Sequence, residues 1–253
     1  DYSQEISIKH LLSHTSGLPD YFQDKGTSKN SLEKDLMKGH DQSWTFEEAI
    51  EMSKKFEPLF VPGEKGKAKY SDANFQLLGK IIEKITNKSY AENCQEYIIQ
   101  PLGLSKTYLY QDATDETPKM LYHKKKELRI PKAMTSFGAD GGIVSTSADM
   151  LTFIEAFFTG KLFPIDYIEK MQKWNKIFPP MRSGIGIHLF KIPKVFDPTG
   201  AMPSFIGHSG LSGALAFYSP KENLYIAGTV NQTAHPDMSF KTMISLTQRM
   251  LKK

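Results

Sequence analysis

The sequence predicts an α+β fold in which an antiparallel sheet is flanked by helices and stands beside a mainly helical region. Three observations predict it. Apolar residues recur at helical spacing through the first half of the chain. Short runs rich in β-formers, separated by Gly, Pro and Asn, cluster towards the end. The last of these runs follow one another through tight turns, as an antiparallel meander does. We expect one domain over residues 1–253, mainly helical over 15–135 and built of sheet and helix over 136–253.

In chain order, Ile6–Ser13 has a short helical pattern that stops at His14-Thr-Ser-Gly17, with Pro19 beyond. His10 and His14 have the spacing of a metal pair, but Leu11 stands where a zinc protease needs Glu, so both are read as structural. Residues Tyr21–Ser43 are polar and read as a surface excursion. Thr45-Phe-Glu-Glu48 is a capping box that opens a helix ending before Pro58. Val61-Pro-Gly63 turns the chain into Tyr70-Ser-Asp-Ala-Asn74, which leads an amphipathic helix with Phe75, Leu78, Ile81, Ile82 and Ile85 on one face.

Ser89 caps a helix that ends before Pro101, and residues 111–137 read as a basic loop. After the glycine turn Asp140-Gly-Gly142, Thr146 caps a helix carrying Met150, Phe153, Ile154 and Phe157. A further helix is predicted over Ile165–Trp174 and a strand over Gly184–Phe190. Then comes Phe205–Pro220, a strand holding His208-Ser209-Gly210, a reversal at Gly213 and a second strand over Ala214–Tyr218. A third run, Leu224–Val230, precedes a final helix from Asp237 to Leu251 with Met243, Leu246 and Met250 on its buried side.

Composition narrows the function classes. Hydrophobic residues are 40% and charged residues 24%, the balance of a globular protein. No apolar run approaches the roughly 18 residues a membrane span needs, and Asp1-Tyr-Ser-Gln-Glu5 has no signal-peptide character. The lone Cys94 excludes an internal disulfide. Net charge is +4, yet only three basic residues are Arg and the densest run, Lys124–Arg129, reads as a solvated loop, so nucleic acid is not expected as a partner. The His and acidic residues form no ligand cluster of the usual spacing, so no metal or other cofactor is implied.

Four segments combine: Leu11-Leu-Ser-His-Thr-Ser-Gly-Leu18, Tyr70-Ser-Asp-Ala-Asn-Phe-Gln-Leu-Leu-Gly79, Gly141-Gly-Ile-Val-Ser-Thr146 and Gly207-His-Ser-Gly210. In this order and spread, covering nearly the whole chain, they resemble the class C β-lactamase family of serine hydrolases, with its D-Ala-D-Ala carboxypeptidases and esterases. The resemblance implies acyl transfer by a serine in Ser-x-x-Lys, with a small-molecule or peptide substrate and a periplasmic or extracellular setting. It implies that Tyr70 transfers the proton, that Asp72 fills an Asn position, and that His208, Ser209 and Gly210 form the third motif. The N–H of Leu211 would then be one oxyanion donor. A phenol has a pKa of about 10, so Tyr70 would need a shift of about 3 units to act as a free base at pH 7. A relay through hydrogen bonds is the reading that avoids this.

Two departures matter. Asp72 is a carboxylate where the pattern offers an amide, and when ionised it accepts hydrogen bonds without donating any. The only formal Ser-x-x-Lys, Ser31-Leu-Glu-Lys34, lies downstream of the His-Thr-Ser-Gly segment and is read as coincidence. The family's first strands and its serine-bearing helix have no counterpart here. The chain is therefore expected to be the C-terminal portion of a longer hydrolase, with one sheet edge unpaired and the missing N-terminal segment as a partner. The alternative is an inactive homologue serving as a ligand-binding or scaffold module.

Overall fold

In the computed structural model the described residues are 2–25, 30–193, 195 and 197–251. Helices α1 (Ile8–Leu12), α2 (Leu32–Met37), α3 (Phe46–Lys54), α4 (Asp72–Thr86) and α5 (Tyr90–Cys94) come first. A π-helical stretch (Gln95–Ile99) links α5 to α6 (Gln100–Leu102). Strand β1 (Tyr108–Leu109) pairs with β4 (Ile143–Val144), and β2 (Leu121–His123) pairs with β3 (Lys126–Leu128), both antiparallel. Between the two pairs lies α7 (Pro131–Met134), and α8 (Ser147–Phe158) and α9 (Asp166–Met171) follow β4.

The main sheet has six strands in sequence order: β5 (Asn175–Phe178), β6 (Met181–Ser183), β7 (His188–Phe190), β8 (Phe205–Ser209), β9 (Leu215–Ser219) and β10 (Leu224–Gly228), all antiparallel. The two outer strands, β5 and β10, have no further neighbour among the described residues. Period-two alternation sorts the core. Phe205, Leu215 and Phe217 bury against Met243 of α10 (Asp237–Leu251), while Ile206 and Ala216 bury against Ile154 and Phe158 of α8. The sheet is thus a middle layer between two helices. A Cβ at Gly207 would come within 2.0 Å of the Ala216 carbonyl oxygen, so only glycine lets β8 lie this close to β9. Gly213, at φ +76°, makes the reversal between them.

Several local readings are corrected. The helix over Ile165–Trp174 is only Asp166–Met171, and residues 175–178 and 181–183 are strands with too few residues to show a period. The strand over Gly184–Phe190 narrows to His188–Phe190. The basic loop 111–137 contains a β-hairpin and α7. The excursion Tyr21–Ser43 is partly core: Tyr21, Phe22 and Leu36 are buried with Trp44, Ala73 and Leu128. On α4 the expected apolar face is buried only towards its start, with Leu78 buried, Phe75 and Ile81 half-buried and Ile85 76% exposed, and Asp72, Asn74 and Gln76 are buried as well. On α10 Leu246 and Met250 are exposed, and Thr247 takes the buried position. No described helix is long and apolar enough to cross a membrane.

Candidate active site

The site is assembled where the turn after α1 meets the start of α4. Ser7 caps α1 by accepting the His10 N–H, and the His10 imidazole closes the capping box in the place usually taken by Glu. The helix ends at Leu12, so His14 does not share a helical face with His10. Instead His14 takes a left-handed backbone (φ +55°) and is 1% exposed. Its carbonyl accepts the Lys69 N–H (3.0 Å) and its Nδ1 accepts the Ser71 N–H (3.2 Å), so one residue clamps the backbone on both sides of Tyr70. The Asn74 amide nitrogen lies 3.1 Å from the same Nδ1, and the Asn74 Oδ1 accepts from Ser16 Oγ at 2.6 Å. With donors facing Nδ1, the His14 proton sits on Nε2, which has no partner among the described residues. Burial, and then the imidazole of His208, hold the His14 pKa down to about 3.

Carboxyl groups line one side of Tyr70. Its hydroxyl donates to Asp72 Oδ1 at 2.8 Å. Asp140 accepts from Tyr21 Oη (2.7 Å), from Gln76 Nε2 (3.0 Å) and from the Gly138 N–H (3.0 Å). Asp20 is fully buried; its Oδ1 accepts the Phe22 N–H at 2.9 Å, and its Oδ2 has no partner among the described residues. Burial pushes Asp20 and Asp140 up to about 6 each. Burial, followed by the charges of Asp20 and Asp140, raises Asp72 well above the ordinary carboxyl range. Tyr70 also moves upward, first through burial and then through Asp72. The nearby cation Lys69 is committed to Asp24, with Nζ donating to Oδ2 at 2.7 Å. Nothing here lowers Tyr70 towards a phenolate. The geometry is that of a neutral phenol that donates a hydrogen bond to Asp72.

Imidazoles line the other side. The His188 and His208 rings stack at 4.1 Å, and the His188 ring lies 6.1 Å from Tyr70 and 5.9 Å from His14. Tyr70 and His208 thus belong to one cluster, connected through His188. His208 Nδ1 lies 2.9 Å from its neighbour's carbonyl, Ser209 O, so Nδ1 carries the proton and Nε2 is free to accept. Burial lowers the His208 pKa, and burial with the neighbouring imidazoles lowers His188 to about 2. Tyr70, His208 and Ser209 keep part of their surface open, while His14, Asp20, Asn74 and His188 are buried behind them. In the turn after β8, Gly210 donates its N–H to Ala214 O (2.8 Å) and Gly213 donates to Gly210 O (3.0 Å). The N–H of the half-exposed Leu211 has no acceptor among the described residues and remains available.

Of the residues named from the sequence, Tyr70, Asp72 and His208 fall in this cluster, and Ser209, Gly210 and Leu211 follow His208 in the chain; His14 reads from sequence as structural, and His188, Asp20 and Asp140 are not named there. For His14 the signal was present as the first residue of the His-Thr-Ser-Gly segment. His188 sits in a three-residue strand whose only cue was a polar ring between Ile187 and Leu189. Ser31, the formal nucleophile match, is 2% exposed and caps α2 by accepting the Lys34 N–H. Among the described residues no group of His, Cys, Asp or Glu is set to hold a metal ion.

A family model described as Beta-lactamase matches residues 1–244. The chain is 28% identical over 204 residues to penicillin-binding protein 4* of Bacillus subtilis, covering 72% of this chain and 41% of that protein. It is 31% identical over 169 residues to a teichoic acid D-alanine hydrolase of Staphylococcus aureus, covering 64% and 37% respectively. A D-stereospecific amidohydrolase from Streptomyces sp. superimposes with a TM-score of 0.73 at 26% identity, over 91% of this chain and 69% of that one. The chain spans less than half the length of these curated relatives.

Proposed function

This chain belongs to the β-lactamase family, and from that premise we propose that it supplies the proton-relay wall and oxyanion side of a serine hydrolase working by acyl transfer. On this reading the nucleophilic serine, with its Ser-x-x-Lys lysine, lies outside residues 1–253. The observation that carries the proposal is the Tyr70–His14–His188–His208 cluster. It gathers the helix-start motif, the His-Thr-Ser-Gly turn and the strand motif into one place with a partly open face.

In this reading the serine proton passes to Tyr70 as Tyr70 passes its own to Asp72, so no free phenolate is required. A relay of this kind supports general acid–base catalysis, which contributes about 10²–10⁴-fold. The Leu211 N–H donates to the developing oxyanion. His208, Ser209 and Gly210, past the last pairing of β8 with β7 at Gly207, form the stretch along which the acyl portion lies. The buried carboxyls Asp20, Asp72 and Asp140 favour a cation beside Tyr70, which the lysine of the nucleophile motif satisfies.

The substrate is a β-lactam, a D-amino-acid peptide or an ester, and a D-aminoacyl ester or amide is the class we favour. The names of the relatives support this choice: two of them act on D-configured acyl groups. The test is hydrolysis of matched D- and L-alanyl esters and amides by the hydrolase with its upstream segment joined. Faster turnover of the D-series supports the reading. A preference for the L-series contradicts the substrate class, and ligand binding without turnover of either series assigns the chain to the binding-module alternative.

A further inference from the structure

In the turn that follows β8, Gly213 donates its N–H to Gly210 O, so Leu211 and Ser212 are the two central residues of a four-residue turn. Glycine stands at both ends, and the Leu211 side chain is 37% exposed. Neither backbone stiffness nor packing of Leu211 therefore fixes the direction in which its N–H points. An oxyanion donor has to be held within about 0.5 Å of its productive place. The contacts that do this come from outside the turn.

They come from the segment after β10. A Cβ at Gly213 would lie 2.4 Å from Val230 Cγ2 and 3.6 Å from Pro236 Cα, so this segment lies directly against the turn. The Gln232 N–H donates to Ser212 O at 2.8 Å. Among the described residues no other hydrogen bond reaches Leu211 or Ser212 from elsewhere in the chain. Gln232 is itself locked by its side chain. Its Oε1 accepts the N–H groups of Lys124 (2.8 Å) and Ala234 (3.0 Å), and its Nε2 donates to Lys124 O (2.8 Å). One planar amide thus fixes Lys124 at two points, which needs a donor and an acceptor together. Lys124 offers both backbone groups because it lies in the two-residue turn of the β2–β3 hairpin, outside the ladder. Tyr122 repeats the attachment, donating its N–H to Asn231 O and accepting the Thr233 N–H, each at 2.9 Å. The base of the hairpin is rooted in the core through Leu128, buried in the same cluster as Ala73 of α4.

We propose that Gln232 is a positioning residue for the Leu211 N–H: it fastens the oxyanion turn, through Ser212 O, to the core-rooted hairpin. The effect on turnover rests on the acyl-transfer reading, whereas the effect on the turn rests on the hydrogen bonds alone. Without the Gln232 side chain the Leu211 N–H is still present but is free to swing away from the oxygen it serves. The loss falls on the transition state, where that oxygen gains charge, so kcat drops and KM stays.

The test compares wild type with Gln232→Met, an unbranched chain of similar length without a hydrogen-bonding amide, and with Gln232→Glu, which keeps the acceptor for the Lys124 and Ala234 N–H groups. All three are made in the chain joined to its upstream segment. Hydrogen exchange at the Gly213 N–H, which closes the turn, is followed by NMR and should quicken about tenfold in Gln232→Met. Turnover is measured on an ester and on its thionoester, in which sulfur replaces the carbonyl oxygen. Donors placed for oxygen serve the larger sulfur poorly. Gln232→Met should therefore lower kcat for the ester roughly 10–100-fold at little change in KM, and shrink the oxygen-to-sulfur rate ratio with it. Gln232→Glu should lie between the two, and it carries both readouts if circular dichroism shows Gln232→Met unfolded. A fall shared equally by ester and thionoester, a rise in KM alone, or unchanged exchange at Gly213 overturns the proposal. Wild type that turns over neither substrate removes the hydrolase reading, and the exchange comparison then decides alone whether Gln232 holds the turn. Wild type that is active beside a Gln232→Met of equal rate and ratio overturns the positioning role and leaves the hydrolase reading standing.

Discussion

On one side of Tyr70, three carboxyl groups lie in a web of hydrogen bonds from Tyr21, Gln76, Tyr70 and backbone N–H groups. On the other side, three imidazoles lie ring against ring with few polar partners. The same cause, burial, acts on both and moves them in opposite directions. It pushes carboxyls up and imidazoles down, because in each case it disfavours the charged form. The comparison shows that burial brings Asp20 and Asp140 up to about 6, close to neutrality, while it keeps the imidazoles uncharged there. Tyr70 stands on the boundary and is held as a neutral phenol. A proton can therefore pass through it, but the hydroxyl is not itself a base waiting for one.

The largest expected effect breaks the comparison at its boundary. On the proposed reading, Tyr70→Phe in the chain joined to its upstream segment removes the hydroxyl that donates to Asp72 and should slow acylation about 10²–10⁴-fold. Stopped-flow acylation by an activated D-alanyl ester measures this, and a change below threefold removes Tyr70 from the relay.

Next comes the imidazole side. His188 has a folded pKa near 2 against 6.5 for an unperturbed group, so its contribution to stability is present above pH 6.5 and is lost as pH falls towards 2. His188→Phe removes that loss. Relative to wild type, the variant should gain about 1.4 kcal/mol per pH unit below 6.5, or about 3 kcal/mol at pH 4, by urea unfolding across pH.

The carboxyl side sharpens the contrast because its sign is reversed. The Asp20 pKa is raised from 3.8 to about 6, so its contribution is present below 3.8 and is lost as pH rises through 6. Asp20→Asn keeps an acceptor for the Phe22 N–H. Relative to wild type it should gain about 2 kcal/mol between pH 4 and pH 7, discounting for the neighbouring Asp24 and Lys69. Parallel pH trends in the two variants would show that burial is not the common cause.

These opposite behaviours also explain what could be read in advance. The meander was legible because Phe205, Phe217 and the turn glycines obey rules that act over a few residues. The start of α4 was legible because Tyr70 through Gly79 carries its motif in one stretch. The partners of that stretch were not legible: His14 meets Ser71 across 57 positions, and Gln76 meets Asp140 across 64. Periodicity then read only part of the helix. Leu78 is buried as expected, but Asp72, Asn74 and Gln76 are buried too, hydrogen-bonded into the site, and Ile82 and Ile85 lie in the exposed outer half of the helix. The polar residues on the buried side of α4 were the mark of the site, and apolar patterning has no term for them.

We propose above that residues 1–253 carry the relay and the oxyanion side but not the nucleophile. Intact-mass and peptide mass spectrometry after treatment with a fluorophosphonate probe test it most directly. The expected result is no adduct on the 253-residue chain, and a single adduct on the serine of an upstream Ser-x-x-Lys once that segment is joined or added in trans. A stoichiometric adduct on any serine within residues 1–253, Ser31 included, would contradict it.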